Sequence, residues 1–193
     1  MPEELRVGFV TGTTPDKWAR AWRDQRRGPL TMVPVTEEDQ ADVVRRGVVD
    51  MALVRLPIDG DDLHRVRLYD ELPVVVAGRA HLVAAADDVT LADLADEQLV
   101  RPHGSGWRPT VDQLAWPPMS EQEAIEAVAA GTGVVIVPMS VARLFHRKDV
   151  VARPVTDLPP TTVALVWLRE RDDERTQAFV GVVKGRTANS TRG

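Results

Sequence analysis

The chain alternates between two hydrophobic rhythms. Short apolar runs rich in β-branched residues, at 5–10 (LRVGFV), 30–35 (LTMVPV), 51–54, 68–76, 98–102 (QLVRP), 134–137 and 161–168 (TTVALVWL), have the length and composition of β-strands. Between them lie polar stretches whose apolar residues recur every three or four positions, the spacing of a helix with one buried face. Trp18, Ala21, Trp22 and Gln25 share such a face, and Ala178, Phe179, Val182 and Val183 line the last helix. The unbroken run at 134–137 predicts a strand covered on both sides. Pro34 cannot donate to a ladder, so residues 30–35 belong at a sheet edge or a strand end.

The helix ends are marked by their chemistry. Thr14 is the expected cap of the first helix, with Pro15 in the first helical position and Gly28 past its end. Thr36 with Asp39, Thr90 with Asp93, and Ser120 with Glu123 have the spacing of a capping box. In TEEDQADVVRRG, acids fill the first turn, Arg45 and Arg46 fill the last, and Gly47 supplies the left-handed residue beyond it. Residues 51–54 follow at once, the return leg of a β-α-β unit, and are expected to rejoin the sheet as a parallel strand. Further helices are expected at 91–97, 121–130, 138–148 and 172–185. The alternation predicts an α/β fold with mostly parallel sheets. It also predicts two lobes between which the chain crosses twice. The expected division is 1–73 with 160–187 as lobe I, 74–159 as lobe II, and 188–193 as a disordered tail.

Composition narrows the functional classes. The 193 residues are 44% hydrophobic and contain no Cys, which removes disulfides, thiolate metal sites and Cys nucleophiles. A net charge of -5, from 24 basic and 29 acidic side chains, argues against a nucleic-acid surface spread over the chain. No apolar run approaches the ~20 residues of a membrane span. The start, MPEELRVGFV, lacks a basic stretch before a long apolar one. These features fit a cytoplasmic protein. His64, His81, His103 and His146 are scattered without metal-ligand spacing. GSGW is not a nucleophile elbow, and GTGVVIVP precedes a strand instead of following one. No catalytic residue, metal or cofactor is expected, and Arg101 and His103 read as ordinary loop residues in that respect.

In open α/β sheets, ligands bind beyond the carboxyl ends of the strands. The residues there are Thr11, Gly12, Thr13 and Thr14; Thr36; Arg55; Arg101, Ser105 and Trp107 in the RPHGSGW loop; and Met119 with Ser120. Free N–H groups and the positive end of a helix dipole make such positions anion sites. Each hydroxyl alone reads as a helix cap; several converging on one crevice read as a ligand site. Arg101 offers a carboxylate two parallel donors, and Trp107 offers a flat apolar cover. Trp18 and Trp22 read as lobe core or as an interface.

Several segments in order carry a resemblance: LRVGFV with its Thr-rich turn, VVRRGVVDMALVRLP, RLYDELPVVVAGRAHLVA, VTLADLADEQLV, AIEAVAAGTGVVIVP, and VVARPVTDLPPTTVALVWLR with a terminal helix. The chain resembles the effector-binding (substrate-binding) domain of LysR-type transcriptional regulators, itself similar to type 2 periplasmic binding proteins. One departure is Leu82, Val83 and Ala84 where the family has Pro-Leu-Ala. The resemblance implies two Rossmann-like lobes joined by two crossover strands. It implies a small-molecule effector, a carboxylate by the reasoning above, in a cleft near Thr11, Thr13, Thr36, Arg101, Ser105 and Ser120. It also implies a side-by-side homodimer through the first helix of one lobe and the Ser120 helix of the other. Family members carry an N-terminal winged helix-turn-helix, and this chain begins at the first strand of the effector domain. DNA contact is therefore expected only through a separate or missing domain. The alternatives are a stand-alone binding protein of the periplasmic type, an enzyme on the same scaffold, and a protein-interaction module.

Overall fold

Every residue of Met51–Arg55 is buried, and one sheet is assembled around this strand. The structure is a computed structural model that describes residues 4–185; the tail expected at 188–193 lies outside them. Among the described residues there are eight strands: β1 Leu5–Val10, β2 Leu30–Val35, β3 Met51–Arg55, β4 Leu63–Glu71, β5 Pro73–Gly78, β6 Val134–Pro138, β7 Val150–Pro154 and β8 Thr161–Leu168. The helices are α1 Asp16–Asp24, α2 Asp42–Arg45, α3 Glu121–Ala129, α4 Met139–Leu144 and α5 Glu174–Val183. Among the described residues, 4–70 with 162–185 form one compact unit and 71–161 a second, so the chain leaves the first unit once and returns to it.

The sheet of the first unit has the order β2-β1-β3-β8-β4. Strand β1 runs parallel to both β2 and β3, as the β-α-β reading requires. Strand β8 closes on β3 in the antiparallel sense, with Met51 opposite Trp167 and Arg55 opposite Val163. Strand β2 takes the edge, where Pro34 leaves no ladder bond unmade. The two-residue period of β3 divides the core. Met51 and Leu53 face Trp18, Trp22, Phe179 and Val182, whereas Ala52 and Val54 face Val43, Val44 and Val49. Trp18 and Trp22 are only 6% and 2% exposed, so both indoles fill their own unit's core and leave no apolar surface for an interface. The Trp22 ring lies 5.7 Å from Phe179, and its Nε1 donates to the Gly28 carbonyl at 3.0 Å.

Two helix starts differ from expectation. Helix α1 is entered through Pro15 with no side-chain cap, so Thr14 does not cap it as expected, and the hydroxyl before it, that of Thr13, donates back to the Val10 carbonyl at 2.7 Å. Helix α2 has only four residues. Thr36 and Asp39 are bonded, the Asp39 N–H to Thr36 Oγ1 at 3.2 Å and the Thr36 hydroxyl to the Asp39 carboxylate at 3.2 Å, but α2 starts from Ala41 with no side-chain cap, so Thr36 does not cap it as expected. The residues after them stay in turns because Gln40 is drawn down onto β3.

The second unit overturns the expectation of mostly parallel sheets. Its sheet, β6-β5-β7, is antiparallel at both pairings. Strand β5 is the segment that enters this unit, and it lies between the two strands that follow helical turns, running opposite to both. Parallel pairing survives only as the isolated bridges Leu99–Val134 and Val89–Val155. Residues 98–102 therefore form one bridge and no strand. The Leu99 N–H is taken by Gln113 Oε1 at 2.7 Å, away from any ladder. Gly133, at φ +145, brings the Gln98 carbonyl to 2.3 Å from where a Cβ would stand. The run expected at 68–76 is split at Leu72 into β4 and β5. The short helix at 91–97 reduces to a single 3-10 turn, Ala92–Leu94, although Thr90 and Asp93 make the expected box. The helix at 138–148 shortens to α4. Helix α5 starts from an unanticipated box between Asp173 and Thr176.

These caps and pairs set the acid response. The carboxyls of Asp93 and Glu123 are held low by hydrogen bonds from the backbones of Thr90 and Ser120, and Asp62 and Asp149 by their bonds to Arg45 and Arg147. A depressed carboxyl pKa contributes stability that is complete above the unfolded value and is lost as pH falls through the folded one. Stability is accordingly expected to stay level for these groups above about pH 5 and to fall below about pH 4. In urea melts across that range, Glu123→Gln should flatten part of the loss; an identical slope would contradict the cap's role.

Candidate functional site

The carboxyl end of β3 carries a buried guanidinium, that of Arg55. Arg55 follows four apolar residues and is only 4% exposed. A buried guanidinium needs acceptors on every side. Its Nη2 donates to the Thr11 carbonyl at 2.7 Å and its Nη1 to Glu37 Oε1 at 2.6 Å. Its main chain is gripped as well. Gln40 Nε2 donates to the Arg55 carbonyl at 3.0 Å, and Gln40 Oε1 accepts from the Arg55 N–H at 2.8 Å. One residue at the end of β3 thereby fixes the loop after β1 and the loop after β2.

That arrangement brings Thr11, Gly12, Thr13, Thr14 and Thr36 to one end of the first unit's sheet. Thr13 is buried, and both its N–H and its hydroxyl bond to the Val10 carbonyl, so it builds the turn. Gly12 takes the left-handed conformation that the turn requires, at φ 87. Among the described residues, the backbone N–H groups of Gly12 and Thr14 have no acceptor. Thr14 is exposed and Thr11 half-buried. Thr36 is occupied with Asp39.

The residues expected from the second unit have local partners. Arg101 Nε donates to the Met119 carbonyl at 3.2 Å, and its Nη2 lies 3.8 Å from Glu121. These contacts bring Arg101, Met119 and the start of α3 together. Ser120 makes a full capping box with Glu123, so its hydroxyl both accepts from the Glu123 N–H and donates to the carboxylate. Ser105 bonds His103 Nδ1 at 2.8 Å and accepts from the Trp107 N–H at 3.2 Å. Trp107 packs against the cluster that contains Leu94 and Ile136.

Sequence reasoning placed Arg55 at a strand end but missed its organising role, and missed Glu37 and Gln40 altogether. The available signal was a charged residue completing an apolar strand. Among the described residues, no cluster of three or more His, Cys, Asp or Glu side chains could hold a metal ion. No described helix is long and apolar enough to cross a membrane.

Glu37→Ala removes a charged partner that lies 2.6 Å from the Arg55 guanidinium. Because Glu37 is partly solvated, the expected loss is ~1–3 kcal/mol in urea unfolding, below the full cost of breaking a buried pair. A stability unchanged from the parent would contradict the role assigned to Arg55.

Comparisons with known proteins agree with this architecture. Residues 3–188 match the LysR substrate binding domain. The Hca operon transcriptional activator HcaR of Escherichia coli is 25% identical over 97% of this chain and 69% of its own length. The HTH-type transcriptional regulator CatR of Pseudomonas putida is 29% identical over 76% of this chain, and AlsR of Bacillus subtilis 24% over 74%. The matches span only 55% and 53% of those two relatives. Among solved structures, the BenM effector binding domain with its effector benzoate aligns with TM-score 0.78 and 19% identity, over 96% of this chain and 92% of that one. The reduced OxyR regulatory domain from Pseudomonas aeruginosa aligns at 0.72 and 21%, over 94% and 95%. The fold is thus the α/β, type 2 periplasmic-binding-protein-like fold of those domains, and the homologous proteins are transcriptional regulators. By its match across nearly the whole sequence, this chain belongs to the LysR substrate-binding domain family.

Proposed function

We propose that this domain senses a small anionic metabolite, most simply a carboxylate, on behalf of a transcriptional regulator. It acts by binding and performs no reaction. The observation that carries the reading is the turn after β1. In the turn that leads into the nine-residue helix α1, the Gly12 and Thr14 N–H groups have no acceptor among the described residues. Such donors at a helix N-terminus favour an anion. The first unit then contributes Thr11, Gly12 and Thr14 directly, with Thr13 and Thr36 shaping their loops. Arg101, Ser105, Trp107, Met119 and Ser120 are the second unit's contribution, and the cleft implied by the family resemblance is part of this proposal, as is the division into lobes 1–73 with 160–187 and 74–159. The benzoate of the BenM domain is a carboxylate, which supports the chemical class. The ligand acts by its differential affinity for two arrangements of the domain.

A homodimer and a cytoplasmic location belong to the same reading, and DNA contact belongs to a winged helix-turn-helix domain outside this chain. Charge favours pairing the α1 of one copy with the α3 of the other. Helix α1 exposes Lys17, Arg20 and Arg23, flanked by Asp16 and Asp24 at its two ends, whereas α3 exposes Gln122, Glu123 and Glu126.

Calorimetric titration with a panel of carboxylates, paired with melting curves, tests the site. Thr14→Ala should weaken binding by ~1 kcal/mol and Arg101→Ala by ~1.5–3 kcal/mol. Thr14→Ala should leave the melting temperature unchanged. Ser120→Ala should lower the melting temperature through a lost cap worth ~1 kcal/mol. If Thr14→Ala and Arg101→Ala leave every measurable affinity intact, the assignment is wrong.

A further inference from the structure

The second unit contains a pocket that none of the residues assigned to the proposed site lines. It has a volume of about 230 Å3 and is walled by Leu99, Val100, Pro109, Leu114 and Trp116, with Arg108 also among its lining residues. That is about eight times the ~30 Å3 share of a water molecule in the liquid, room for a small organic molecule and not for a nucleotide.

Its walls are pre-built. Residues 108–116 form no helix or strand, yet two glutamine side chains staple them to the segment before Val100. Gln113 Oε1 accepts from the Leu99 N–H at 2.7 Å, while Gln113 Nε2 donates to the Glu97 carbonyl at 3.0 Å. Gln98 answers in the other direction, donating to the Asp112 carbonyl at 2.9 Å and accepting from the Leu114 N–H at 2.8 Å. Thr110 adds bonds from its N–H and hydroxyl to the Ala95 carbonyl. A loop held by this many side-chain bonds keeps its shape without a ligand.

Two polar groups at this pocket remain unanswered. The Trp116 Nε1 is buried and has no hydrogen-bond partner among the described residues. Buried indole N–H groups ordinarily find one. Arg108 is exposed and makes no hydrogen bond or ion pair with the described residues. An apolar wall, an unanswered donor and an unpaired guanidinium together describe a receptor for a small molecule with an apolar body and an anionic oxygen pair.

We propose that this pocket binds a small apolar carboxylate, with Arg108 holding its charge, the Trp116 indole N–H donating to it, and its hydrocarbon body against Leu99, Val100 and Pro109. This site is separate from the one described under the proposed function and does not depend on it.

Titration of 15N-tryptophan-labelled protein tests the idea, because each of the five tryptophans gives one indole N–H signal. Trp116→Phe assigns the signal. Benzoate and cyclohexanecarboxylate are the probes, and benzamide is the uncharged control. The expected result is a saturable shift of the Trp116 signal with both carboxylates, weakened about tenfold or more by Arg108→Ala and unaffected by Thr14→Ala or Arg101→Ala. Benzamide should bind far more weakly than benzoate. A Trp116 signal that no probe moves, as for an indole satisfied by a buried water only, would overturn the proposal. So would equal affinity for benzamide and benzoate, or a shift abolished by Thr14→Ala or Arg101→Ala and indifferent to Arg108→Ala.

Discussion

The burial of the Arg55 guanidinium is the constraint on which the first unit turns. A charged group only 4% exposed at the end of an apolar strand is costly unless its donors are met. Meeting them requires the Thr11 carbonyl and the Glu37 carboxylate to lie where they do. The loops after β1 and β2 are therefore not free to wander, although neither has regular structure. The two bonds between Gln40 and the Arg55 main chain extend the same constraint and hold residues 37–41 in turns. The short α2 and the position of the β1–α1 turn are two consequences of one buried charge.

Much of this architecture is legible in the sequence because it is local. The bounds of β1, β2 and β8 follow from apolar runs with β-branched residues, and the Ser120–Glu123 and Thr90–Asp93 boxes follow from residue type and spacing. What escapes is tertiary. Nothing local says that β5 will lie between two antiparallel neighbours, since a buried strand reads alike in either sense. Nothing local says that Thr13 will bond back to Val10, that α1 will start from Pro15 and not from a Thr14 cap, or that Gln40 will reach across fifteen positions to β3. Polar side chains that bond distant backbone are invisible to periodicity.

The same distinction sorts the expected site residues. Thr13 and Ser120 are consumed by turn and cap, so their hydroxyls build loops and helix ends. The N–H groups of Gly12 and Thr14 have no such duty. Hydroxyls chosen by residue type alone thus divide into those that make the scaffold and those left for a partner. On the proposed reading, the N–H donors left unanswered in that turn are what would meet an anion. The LysR substrate-binding domain family supplies the regulatory setting in which such a site has a use.

The most direct test of this account is amide hydrogen exchange at Gly12 and Thr14, measured with and without a saturating carboxylate that the domain binds. The account predicts that both amides exchange quickly in the free protein and slow markedly in the complex, while the Thr13 amide, already bonded to Val10, is protected in both states. Unchanged exchange at Gly12 and Thr14 in a demonstrably saturated complex would contradict it.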